Sequence, residues 1–128
     1  MSEIKYISTP NAPQPAGHYS QAVVHNGLVF VAGQLAITPA GEHRVGSIEE
    51  QTEQALANVA EILKAAGSDL SRVLKMTVFV SDISLWSQVN AVYARVMGDH
   101  RPARAVVPTK ELHYDFQIEI EAVAALID

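Results

Sequence analysis

Residues 47–80, SIEEQTEQALANVAEILKAAGSDLSRVLKMTVFV, decide the fold. Ser47-Ile48-Glu49-Glu50 has the form of a capping box, in which the serine oxygen accepts from the amide of Glu50 and Glu50 reaches back to the serine amide. Ala55, Val59, Ile62, Leu63 and Ala66 follow at helical spacing. Gly67 then stops the helix, because glycine takes the left-handed backbone that ends a helix at least cost. The next stretch, RVLKMTVFV, is β-branched and strand-like. Leu74, Met76, Val78 and Val80 are expected on one face of that strand, and Val73, Lys75, Thr77 and Phe79 on the other.

Upstream lies a second clear signal, SQAVVHNGLVFVAGQL at 20–35. Two apolar runs flank Asn26-Gly27, the pair best suited to a two-residue turn in which both central residues have positive φ. Strands are predicted at about 21–25 and 28–32. The preceding TPNAPQPAGHYSQ holds three of the six prolines and reads as a loop, with a short strand at about 4–7 before it. Downstream, SDISLWSQVNAVYARVMG is a second helix, capped by Ser84 or Asp82 and stopped by Gly98. Strands at about 104–108 and 116–127 finish the chain.

The order β-β-α-β-α-β-β is an α+β fold with a mixed sheet. Right-handed strand–helix–strand crossovers lay both helices on one face of it. The other face is then uncovered. Val23, Val29, Val31 and Phe79 alternate with residues that are themselves apolar, so both faces are partly hydrophobic. An uncovered face of that kind calls for burial against another subunit, and an obligate oligomer is expected.

The 128 residues are 48% hydrophobic, enough for one core and one domain spanning 1–128. A net charge of −5, with nine Lys and Arg scattered along the chain, argues against nucleic-acid binding, which needs grouped cations. Cysteine is absent, which excludes disulfides and thiolate nucleophiles. The opening MSEIKYISTP has no apolar leader core, and no apolar run approaches the ~20 residues that span a bilayer. A soluble cytoplasmic protein is the expectation.

No nucleophile elbow, P-loop or dinucleotide fingerprint occurs. The five histidines (18, 25, 43, 100 and 113) show no metal-ligand spacing, so neither a metal nor a cofactor is expected. Lys75 reads as a strand-edge or interface lysine rather than a Schiff-base former. Arg104 stands at the head of a strand, between Ala103 and Ala105, with room before it. It is either an edge arginine paired with a carboxylate or an anchor for a ligand carboxylate, which a guanidinium fork matches in two hydrogen bonds. Glu119 lies on the acidic side of the alternating FQIEIEAVAAL, a side that meets water, a ligand or a partner. A hairpin between the last two strands would bring it near Arg104. Tyr19 follows the proline-rich loop, and Asn90 sits mid-helix, where asparagine is a poor helix former.

Taken together, NAPQPAGHYSQAV, VFVAGQL, QALANVAEILKAAGSDLSRVLKMTVFVSD, VNAVYARV, RPAR and IEIEAVA resemble the Rid (YjgF) family of reactive intermediate/imine deaminases. The resemblance runs in order from Asn11 to Ala124. It implies a chorismate-mutase-like fold assembled as a homotrimer, sheets inward and helices outward, with ligand clefts between subunits. It also implies cofactor-independent hydrolysis of 2-imino or enamine acids to 2-keto acids and ammonia. On that resemblance Arg104 binds the substrate carboxylate, Glu119 holds the attacking water, and Tyr19, Asn90 and the backbone at Gly33 line the pocket. Three positions depart from the family's habit: Ala32 stands where serine is common, Val106 where cysteine is common, and His113 where proline is common. The first two make the pocket more apolar; His113 adds an imidazole to the connection between the last two strands. Two other functions fit less of the sequence: a trimeric module that binds small carboxylates without turnover, and an endoribonuclease-like activity.

Overall fold

The computed structural model describes residues 3–128. Six strands form one sheet: β1 (Lys5–Ile7), β2 (Ala22–His25), β3 (Leu28–Gln34), β4 (Val73–Val80), β5 (Ala103–Pro108) and β6 (Ile118–Ala125). Two long helices, α1 (Ile48–Ala66) and α2 (Trp86–Met97), complete the fold. The strand order is β1-β2-β3-β6-β4-β5. β6 runs antiparallel to both β3 and β4, so those two are parallel to each other, and β4 is also parallel to β5. The sheet is mixed, as expected, and each helix serves as a crossover between parallel strands.

Local chemistry accounts for the element boundaries. Asn26 (φ 49°) and Gly27 (φ 80°) form the two-residue turn that sets the β2–β3 register, with His25 opposite Leu28. Ser47 and Glu50 make both halves of the capping box, and Gly67 closes α1 at φ 92°. Asp82 accepts from the Ser84 amide and caps the short turn Ile83–Leu85, which leads into α2. Ser84 therefore caps nothing, and α2 starts without a side-chain cap.

The core lies between the helices and one face of the sheet. Leu56, Val59, Ile62 and Leu63 of α1 meet Val29, Met76, Val78, Ile118 and Ile120, all fully buried. β4 corrects the predicted facing at one end. Its pairing with β6 shifts register between Val73 and Lys75, and the extra residue is Leu74. Val73 therefore turns into the core, 1% exposed, and Leu74 turns out, 50% exposed.

The opposite face stays open. Phe30 and Val107 are exposed there, and Val23, Phe79 and Val123 are half-covered. No helix among the described residues is long and apolar enough to cross a membrane.

Candidate functional site

The last two strands do not form a hairpin; β4 lies between them. Arg104 is level with Met76 and hence with Ala122, on the helix-bearing side. Glu119 is level with Phe79, on the open side. Three positions separate the two along the sheet, and an odd offset puts side chains on opposite faces. The expected approach of Glu119 to Arg104 within one chain is corrected accordingly: each belongs to its own cavity.

The first cavity has a volume of about 370 Å³, and Tyr19, Ala32, Gly33, His113, Tyr114 and Glu119 are among its lining residues. Gly33 is there to make space. A Cβ at this position would lie 2.6 Å from Glu119 Oε2, closer than any real contact. The β3–β6 register shifts between Val31 and Gln34, a bulge that sets Gly33 against the carboxylate. Burial raises the Glu119 pKa above the ordinary carboxylate value; the charge of His113 pulls it back, and Glu121 adds to the rise. Such a carboxyl holds a proton more readily than an exposed one, which suits a group that takes and returns protons. Tyr19 accepts a 3.3 Å hydrogen bond at its hydroxyl from the Ala16 amide. Its loop is held by buried Gln21, whose amide nitrogen donates to Thr9 and Pro13 carbonyls and whose oxygen accepts from Thr9 N. Next to the cavity, Tyr114 and Asp115 hold φ of 59° and 61°, an uncommon backbone for such residues. The Tyr114 ring centre lies 4.7 Å from that of His43, with the two planes tilted by 52°.

The second cavity, about 520 Å³, lies between α2 and edge strand β5 and is lined by Asn90, Tyr93, His100, Arg101 and Arg104, among others. Arg104 Nη1 donates to Asn90 Oδ1 at 2.9 Å. Its Cζ stands 4.7 Å from the centre of the Tyr93 ring, a cation–π contact. Among the described residues no carboxylate lies within ion-pair distance of it. Within the chain, then, Arg104 has no carboxylate partner among the described residues, and it lines the cavity. Asn90 is not a stray polar residue on a helix; it orients the guanidinium. Val106 lines neither cavity and packs against the core. Lys75 is exposed on the open face, lining a third hollow with Phe30 and Glu121.

The sequence reading missed Tyr93. The ring is 7% exposed and its hydroxyl is buried with no hydrogen-bond partner. Burial raises its phenol pKa, against the opposing charge of Arg104. Its spacing from Asn90, three residues on a helix, puts both on one face, and that spacing was the available signal. Gln21 was missed too, since a lone glutamine before a strand carries no pattern.

The chain is an α+β domain with an open sheet face, an arginine without a carboxylate partner among the described residues, and a glutamate of raised pKa on the other face. Comparison with known proteins gives the family. The family model described as Endoribonuclease L-PSP matches residues 9–126. A 2-iminobutanoate/2-iminopropanoate deaminase of Bos taurus is 44% identical over 121 residues, 94% of this chain and 88% of that protein. A RutC family protein of Pyrococcus horikoshii is 45% identical over 119 residues, 92% of this chain and 94% of its own length. The crystal structure of the Escherichia coli YjgF gene product superposes with a TM-score of 0.90 at 38% identity, covering 94% and 98% of the two chains. Escherichia coli TdcF, solved with bound serine, gives 0.91 at 35% identity over 96% and 99%. The chain belongs to the Rid (YjgF) family, and its α+β fold is that family's fold.

Proposed function

We propose that the protein hydrolyses 2-imino and enamine acids to 2-keto acids and ammonia, without a cofactor, in clefts between the subunits of a homotrimer. The observation that carries this reading is Arg104: a guanidinium held by Asn90 and Tyr93, without a carboxylate partner, facing a cavity. It suits a small carboxylate, and the deaminase name of relatives at 42–44% identity supports the imine class. TdcF's bound serine is likewise a small carboxylate, which fits the same anchor.

The division into two cavities supports a shared site. One chain presents Arg104 and Asn90, and its neighbour presents Glu119, Tyr19 and the backbone at Gly33. A closed ring of three copies that buries the open sheet faces would join each pair. Arg104 then orients the C=N carbon through the adjacent carboxylate. A water on Glu119 attacks that carbon, and Glu119 takes the water's proton. Glu119 passes that proton to the imine nitrogen, giving the neutral tetrahedral carbinolamine. It then takes the carbinolamine hydroxyl proton as the C=O bond forms and hands it to nitrogen as the C–N bond breaks, leaving the keto acid and ammonia. The imine is already electrophilic, so two polar groups and good positioning suffice.

Ammonia release from freshly generated 2-iminopropanoate and 2-iminobutanoate tests the reading. Arg104→Ala should lower kcat/KM by two or more orders of magnitude, roughly 2.7 kcal/mol or above. Arg104→Lys should be nearly as poor, because an ammonium lacks the fork. An assembled Arg104→Ala protein that works at the wild-type rate would contradict the proposal. Glu119→Gln should bind 2-oxobutanoate but not turn imines over; a wild-type protein that binds and never releases ammonia would be a binding module instead.

A further inference from the structure

Two arginines, not one, line the cavity beside α2. Arg101 shares it with Arg104, and no aspartate or glutamate lines it. The ion pairs among the described residues are Arg44–Glu50, Lys64–Glu61 and Arg95–Glu53, so neither cavity arginine has an acidic partner. This runs against composition: the chain carries fourteen Asp and Glu to nine Lys and Arg. His100 also lines the cavity and adds no acid; its Nε2 lies 2.7 Å from the carbonyl oxygen of Val73, which it can only donate to.

The backbone keeps the two guanidiniums in reach of one ligand. Pro102 follows Arg101 and biases it to extended backbone. The two Cα atoms are at most about 11 Å apart along the chain, Arg101 lies before β5 begins, and both side chains line the one cavity. The cavity, about 520 Å³, is more than a four-carbon monoacid fills.

We propose that this cavity takes acids with a second carboxylate: Arg104 holds the carboxylate beside the reacting carbon, and Arg101 holds the distal one. Four- and five-carbon 2-imino dicarboxylates, and the matching 2-keto diacids, are then preferred over monocarboxylates of similar size. The catalytic part rests on the deaminase reading above; the binding part does not. Arg101 is exposed, so solvent screens its charge, and the preference is about tenfold rather than a hundredfold.

Two measurements test it together. Calorimetry gives the affinities of the assembled protein for 2-oxoglutarate and 2-oxobutanoate. Ammonia release gives the kcat/KM ratio for the imines generated from glutamate and 2-aminobutanoate. The wild type should favour the diacid about tenfold in both. Arg101→Gln should bring both ratios close to one, Arg101→Lys should keep part of the preference, and added salt should shrink it in the wild type. A wild type that hydrolyses 2-iminobutanoate with no diacid preference overturns the inference and leaves the deaminase reading standing. So does an Arg101→Gln protein that keeps the wild-type ratios. Diacid binding that depends on Arg101, with no ammonia released from any imine, would uphold the diacid site and remove the deaminase reading.

Discussion

Arg104 has more donors than the chain satisfies. A guanidinium carries five N–H groups; Asn90 takes one, and Tyr93 covers a face rather than an edge. Glu119 is the complementary case, an acid held half-buried where its charged form is disfavoured. The sign of its pH effect follows from that. A raised folded-state pKa means the folded protein binds this proton more tightly than the unfolded chain. Its stabilising share is complete below the unfolded value and is lost as pH rises through the folded value. Glu119→Gln cannot ionise, so its melting temperature relative to wild type should rise in thermal melts as pH is raised from below the unfolded glutamate value through the raised folded value. A flat difference would mean that Glu119 is not destabilised when charged. Gly33→Ala tests the same carboxylate sterically. The added Cβ must displace Glu119, so kcat/KM should fall at least about tenfold while circular dichroism stays native. Unchanged kinetics would show that the carboxylate has freedom to move. Sequence made Arg104, Glu119 and Gly33 visible as members of a family pattern; it could not show that Gly33 serves Glu119, because that contact joins β3 to β6.

At the scale of elements, what was legible had a local cause. The Asn26-Gly27 turn, the Ser47–Glu50 capping box and the Gly67 stop each act within a few residues, and each stands as read. What failed depended on distant pairing. The bulge at Leu74 arises in the ladder with β6, so strict alternation placed Val73 and Leu74 on the wrong faces. The separation of Arg104 from Glu119 arises because β4 lies between the last two strands. α2 shows how an element positions a site. Tyr93 and Asn90, one turn apart, hold the guanidinium from below and beside. Tyr93→Phe keeps the ring and removes only a hydroxyl that bonds to nothing, so kcat/KM should stay within about twofold of wild type. Tyr93→Leu removes the ring and should lower it about tenfold, in line with the ~1–2 kcal/mol of a cation–π contact. Equal values for the two variants would take Tyr93 out of the account. The proline-rich loop depends on Gln21 in the same way. Gln21→Ala removes the acceptor of the buried Thr9 amide and the donor to the Pro13 carbonyl and should cost about 1–3 kcal/mol in denaturant unfolding. A neutral substitution would mean the loop holds itself.

At the scale of the whole molecule, the open sheet face and the two separate cavities have one common explanation. The face bears Phe30 and Val107 exposed, with Glu119 beside them, and the helices leave it uncovered. A three-copy ring would bury it and make each site from two chains. Both requirements can be tested without a structure of the assembly. Arg104→Ala and Glu119→Gln chains, each inactive alone, are unfolded together, refolded at equal amounts and assayed on 2-iminobutanoate. If a site takes Arg104 from one chain and Glu119 from its neighbour, random mixing leaves about a quarter of the sites intact, so about a quarter of wild-type activity should return. If instead the mixture assembles but stays as inactive as its parents, the site does not take Arg104 and Glu119 from different chains, and the shared-site account is wrong.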